Sequence, residues 1–92
     1  MTGTAPGPAD FDPEPQRRAF GARLRALRES HGETQSSVAE AVNASRPFYS
    51  QVERGENNVS LEYVFRLAHH FGVPVHELFT DLDAYEPSQG RT

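Results

Sequence analysis

The sequence predicts an all-α fold of five short helices. Two observations carry this: apolar residues between Phe20 and Phe79 recur at helical spacings and never alternate, and each such stretch lies between a capping residue and a breaker. Phe20, Leu24 and Leu27 fall at i, i+4 and i+7, so a first helix starts near Gln16 and stops before Gly32. Thr34 is placed to cap a second helix through Val42, in which Val38, Ala39 and Val42 share a face. Asn43 follows where a left-handed residue breaks the helix. Ser45 caps a third helix that begins at Arg46 and reaches Arg54; Pro47 is tolerated there because first-turn amides have no intrahelical partner. Gly55 ends it, and after the polar loop 56–59 Ser60 caps a fourth helix with Leu61, Val64, Phe65, Ala68 and Phe71 on one face, closed by Gly72. Pro74 opens a fifth, short helix to about Phe79.

Three regions follow from composition. Residues 1–15 hold four of the seven prolines, glycines, and Asp10, Asp12 and Glu14 without a base, which predicts a disordered acidic arm. Residues 16–80 form the folded domain, and residues 81–92 a short acidic tail. The net charge of −4 speaks against a polyanionic partner, but its distribution does not. Residues 16–54 carry seven arginines against four glutamates, whereas residues 55–92 carry six acids against two arginines. The basic stretch therefore coincides with the first three helices.

Several classes are set aside. There is no cysteine, hence neither a disulfide framework nor a cysteine zinc site, which fits a reducing, cytoplasmic setting. The first residues lack an apolar signal-type core, and no apolar run is long enough to span a bilayer, so no membrane partner is expected. His69, His70 and His76 with Glu77 make a poor metal set, because adjacent helical residues point about 100° apart. No nucleophile elbow, phosphate loop or paired-carboxylate spacing organises a catalytic centre. The expectation is a protein that is no enzyme and has no cofactor, metal or small-molecule ligand. The length leaves no room for a separate sensor domain.

Counting from Gln35, the residues Val38, Val42, Ala44, Tyr49 and Val52 fall where two crossed helices need apolar contacts, with small Ala39 where they touch and Asn43 at the turn. The stretches Arg23-Leu24-Arg25, Thr34-Gln35, Val38-Ala39, Ser50-Gln51-Val52-Glu53-Arg54-Gly55, Ser60-Leu61 and Leu78-Phe79 complete a pattern that resembles the phage-repressor or xenobiotic-response-element family of helix-turn-helix regulators. The resemblance implies a lambda-repressor-like domain whose second and third helices form the helix-turn-helix, and a sequence-specific regulator, most often a repressor, of double-stranded DNA. The implied DNA-facing residues are Gln35, Arg46, Pro47, Ser50 and Gln51, to which Ser45, Arg54 and Asn57 are added as neighbours.

The chemistry of each is suitable. Arg46 can fork onto guanine, Gln51 can pair with adenine, and Pro47 or Phe48 can touch a thymine methyl, although Phe48 can equally pack on the fourth helix. Gln35, Ser50, Arg54 and Asn57 suit phosphates. The family also implies an ion pair between Arg28 and Glu53. Two positions depart from the family pattern: Glu33 stands where an apolar residue is common, and Glu56 where the loop is often basic. One small module offers too few base contacts to find a unique site, so a homodimer on an inverted repeat is expected, joined through Val75, Leu78, Phe79, Leu82 and Tyr85. The rival readings are an antitoxin or protein-interaction adaptor with secondary DNA binding, favoured by the acidic ends, and a controller protein of a restriction-modification system.

Overall fold

The computed structural model describes Gly7 and residues 10–82. Four α-helices make up the domain among these residues: α1, Glu14–Ser30; α2, Gln35–Ala41; α3, Arg46–Glu53; and α4, Leu61–Phe71. The fifth predicted helix is instead a five-residue 3-10 segment, Val75–Phe79. Its brevity explains the difference. Pro74 enters in an extended conformation, its carbonyl accepts from the Glu77 N–H at 2.9 Å, and Asp81 turns left-handed at φ 64°, which leaves no length for a run of i→i−4 bonds. Helix α1 starts two residues earlier than expected, at Glu14, with Pro15 in its first turn. Most of the arm, and the tail from residue 83, lie outside the described residues.

The punctuation behaves as the sequence predicts. Thr34 Oγ1, Ser45 Oγ and Ser60 Oγ each accept from the backbone N–H three residues on, at 3.0, 3.1 and 3.1 Å. Asn43 takes φ 60° in the turn between α2 and α3. These stops set the short spacing that lets α2 and α3 cross, and α3 packs against both α1 and α2. The core beneath them joins Phe20, Leu24, Leu27, Val38, Val42, Tyr49, Val52, Leu67 and Leu78.

Helix α4 corrects one expectation. Its buried face is Tyr63, Val64, Leu67, Ala68 and Phe71, while Leu61 and Phe65 stand 70% and 52% exposed. Periodicity places Val64, Ala68 and Phe71 on the buried face, as found, but a wide apolar stripe has two edges and the spacing does not say which edge meets the core.

Helices α1 and α3 approach closely at a glycine. A Cβ on Gly21 would lie 2.2 Å from the Glu53 carbonyl oxygen and 2.5 Å from that of Val52. At Gly55, with φ 75°, a Cβ would meet the Arg18 backbone at 2.7 Å. The two glycines let the end of α3 lie directly on α1, which fixes how far the outer face of α3 projects.

Candidate nucleic-acid interface

Helix α3 is held by a buried ion pair at its C-terminal end. Arg28 Nε meets Glu53 Oε2 at 2.7 Å and Nη2 meets Oε1 at 3.1 Å, a two-pronged contact between side chains only 14% and 4% exposed. The third guanidinium nitrogen, Arg28 Nη1, donates to the Glu33 carbonyl at 3.1 Å. Glu53 Oε1 also accepts from Gln35 Nε2 at 3.0 Å. Burial by itself would raise the Glu53 carboxyl, but the hydrogen bonds from Arg28 and Gln35 and the Arg28 charge outweigh it and hold the group below the ordinary carboxylate range. The Tyr49 phenol sits beside this carboxylate, and burial, then the neighbouring negative charge, pushes it well above its usual value. Three helices are thereby tied in register: α1 by Arg28, the start of α2 by Gln35, and α3 by Glu53.

On the outward side of α3, the positions of the expected contact residues divide. Arg46 and Pro47 are exposed in the first turn, and Arg46 makes no ion pair or hydrogen bond among the described residues. Ser45 is exposed, with its hydroxyl engaged as the cap. Ser50 is buried at 9%, and its Oγ accepts from Arg54 Nη1 at 2.7 Å, so it serves Arg54 and presents little of itself. Arg54 in turn meets Glu56 at 3.0 Å, and that contact raises its pKa. Gln51 is half-buried and accepts from Asn57 Nδ2 at 2.7 Å. Phe48 packs edge-on against Tyr63, centroids 5.3 Å apart.

The charge of the basic stretch is largely compensated. Arg18, Arg23, Arg25, Arg28, Arg54 and Arg66 each face a glutamate, and among the described residues Arg17 and Arg46 alone do not. Arg17 uses its Nε on the Gly55 carbonyl at 3.2 Å. This leaves Arg46 as the one arginine on α3 with its whole guanidinium available. Pairing of this kind is invisible in a charge count. Glu33, the departure from the family pattern, is also explained: it accepts from Ser37 Oγ and faces His70 Nε2, both at 2.7 Å, and the Ser37 hydroxyl leads the lowering of its pKa.

In the 3-10 segment, Val75 and Phe79 are exposed at 36% and 42%, and Phe79 stacks on Phe20. Leu82 is partly buried against the core. Leu78 is fully buried and so is removed from the expected dimer contact, because it closes the core beneath the 3-10 segment. Tyr85 lies outside the described residues. Among the described residues no helix is long and apolar enough to cross a membrane.

The order of these helices, with α2 and α3 joined over a capped turn, is shared with known proteins. A family described as "Helix-turn-helix domain" matches residues 19–79. The chain belongs to this helix-turn-helix family. Among curated relatives of the domain, the HTH-type transcriptional regulator DdrOP3 of Deinococcus deserti is 40% identical over 63 residues, covering 68% of this chain and 49% of that protein. This chain thus spans about half of that regulator's length. The control protein C.MunI of a Mycoplasma species is 34% identical over 65 residues, 70% of this chain and 88% of its own. Among solved structures, the restriction-modification controller protein C.AhdI from Aeromonas hydrophila superposes with a TM-score of 0.66 at 39% identity, covering 67% of this chain and 94% of that one. The helix-turn-helix domain of these relatives is the part this chain shares.

Proposed function

We propose that this chain is a sequence-specific DNA-binding regulator of transcription that inserts α3 into the major groove. The observation that carries this reading is the exposed, unpaired Arg46 in the first turn of α3, beside Pro47 and Gln51, on a helix whose orientation the Arg28–Glu53 pair holds. An Arg there forks onto guanine O6 and N7. Because six of the arginines are paired with glutamates, phosphate contacts are few and specificity rests on a small number of base contacts. Two copies are then required, and Val75, Phe79 and Leu82 form the contact we assign to the dimer. Regulation is by operator occupancy, with repression as the default outcome.

Selection from a random duplex library checks this directly. Wild type is expected to enrich an inverted repeat with half-sites about one turn, roughly 34–36 Å, apart. Arg46→Ala should lose about 1–3 kcal/mol of discrimination at one base pair per half-site while its affinity for unrelated duplex falls less. Equal ratios of cognate to scrambled binding in both proteins exclude α3 as the reading helix.

The Arg54–Glu56 contact adds a second expected outcome. Glu56→Gln frees Arg54 for a phosphate, so binding to all sequences tightens at low salt and the slope of log affinity against log salt steepens by about one. Arg54→Ala changes the slope less than Glu56→Gln does, because the charge it removes is already paired. Anisotropy titrations at several salt concentrations measure both, and unchanged slopes in the two variants take Arg54 out of the interface.

A controller of restriction-modification genes is the second reading. It is favoured by the nearly complete overlap with C.MunI and C.AhdI, 88% and 94% of their lengths.

A further inference from the structure

In the loop between α3 and α4, the Asn57 side chain reaches back to the Gln51 side chain of α3. There the Asn58 backbone N–H donates to Asn57 Oδ1 at 3.1 Å, and Asn57 Nδ2 donates to Gln51 Oε1 at 2.7 Å. The first bond dictates the direction of the second. A backbone amide can only donate, so Asn57 must turn its oxygen toward Asn58, which leaves its NH2 group for Gln51. Gln51 must then offer its oxygen to the loop, and its Nε2 keeps both hydrogens without a partner among the described residues. Oε1 retains a second lone pair, but the Asn57 amide occupies one approach to it, and the open end of Gln51 is its NH2.

A glutamine that reads adenine uses both ends of its amide, the oxygen for N6–H and the nitrogen for N7, whereas guanine offers two acceptors, N7 and O6. We infer that Asn57 is a positioning residue that presents Gln51 to DNA as a hydrogen-bond donor, so that Gln51 selects a G·C pair over the A·T pair its residue type suggests. The inference rests on the DNA-binding reading above and deepens it: the specificity of α3 is set in part by the loop behind it. It also moves Asn57 from a phosphate-contacting role to one acting through Gln51.

The test is selection from a random duplex library with wild type, Gln51→Ala, Asn57→Ala and Asn57→Asp, with thermal unfolding of each protein alone as a check on folding. The position whose preference disappears in Gln51→Ala identifies the base pair Gln51 reads. In wild type that position is expected to be G·C, preferred over A·T by roughly tenfold. Asn57→Ala releases the amide, so the preference relaxes to near equality while binding to unrelated duplex persists. Asn57→Asp replaces the donor by an acceptor, so Gln51 turns round and offers its oxygen; the preferred pair then changes strand or becomes A·T. An A·T preference in wild type, or the same G·C preference in both Asn57 variants when they are folded, overturns the inference. Failure of wild type to enrich any sequence overturns instead the DNA-binding reading on which it stands, so the two failures are told apart.

Discussion

Replacing Gly21 by Ala is expected to destabilise the domain by about 3 kcal/mol. In an exposed helix interior the same change stabilises by about 1 kcal/mol, because alanine orders at a smaller entropic cost than glycine. Here the added methyl would sit 2.2 Å from the Glu53 carbonyl oxygen and 2.5 Å from the Val52 oxygen, and both obstacles are backbone. No rotamer change relieves the clash, so α1 must back away from α3. That movement loosens Phe20, Leu24 and Val52 in the core and separates Arg28 from Glu53. Urea or thermal unfolding monitored by circular dichroism measures the effect. A Gly21→Ala protein as stable as wild type rules out the close helix approach. A stable domain of this size has only a small margin, so a loss of this order leaves a substantial unfolded fraction at physiological temperature.

The second large effect is expected at Glu53. Glu53→Gln removes the charge that compensates Arg28 and leaves a guanidinium only 14% exposed facing a neutral amide, which should cost about 3 kcal/mol. Gln35 and the Tyr49 phenol lose the carboxylate they face as well. An Arg28→Met, Glu53→Leu double variant should lose less than the sum of its single losses, because the second change removes a charge that the first has stranded. Strict additivity excludes a coupled pair. The pair also has a pH signature. The Glu53 carboxyl lies lower in the folded state than in the unfolded chain, so its contribution is complete above the unfolded carboxylate value, about 4.3, and is lost as pH falls through the lower folded value. Stability of the wild type should therefore fall below about pH 4 more steeply than that of Glu53→Gln, and parallel pH profiles of the two proteins exclude Glu53 as the source.

Much of the architecture is legible in the sequence. The caps Thr34, Ser45 and Ser60 and the turn residue Asn43 are local devices: each acts on backbone groups within a few residues, so chain order alone reveals them. The apolar faces of α1 and α2 are equally legible, because Leu24, Val38 and Val42 lie at helical spacing inside short, well-bounded segments. By contrast, the fifth helix is a 3-10 segment, and nothing within its five residues distinguishes i→i−3 from i→i−4 bonding; the left-handed turn at Asp81 decides it.

What the sequence determined by itself is therefore the periodic and the local: an all-α helix-turn-helix domain, the caps and turn that bound α2, α3 and the start of α4, and an α3 that carries Arg46, Pro47 and Gln51. What only the tertiary structure decided is which groups remain free to act. Arg54 and Arg46 look alike in the chain, but Glu56 and Ser50 take up the first while the second stays open. Gln51 looks like an adenine reader until Asn57 engages its oxygen. Gly21 looks like a flaw in a helix until the α3 carbonyls arrive above it. The physical reason is common to all three. A hydrogen bond or a steric contact depends on distances of a few tenths of an ångström between residues that packing brings together, and neither spacing nor composition encodes that proximity.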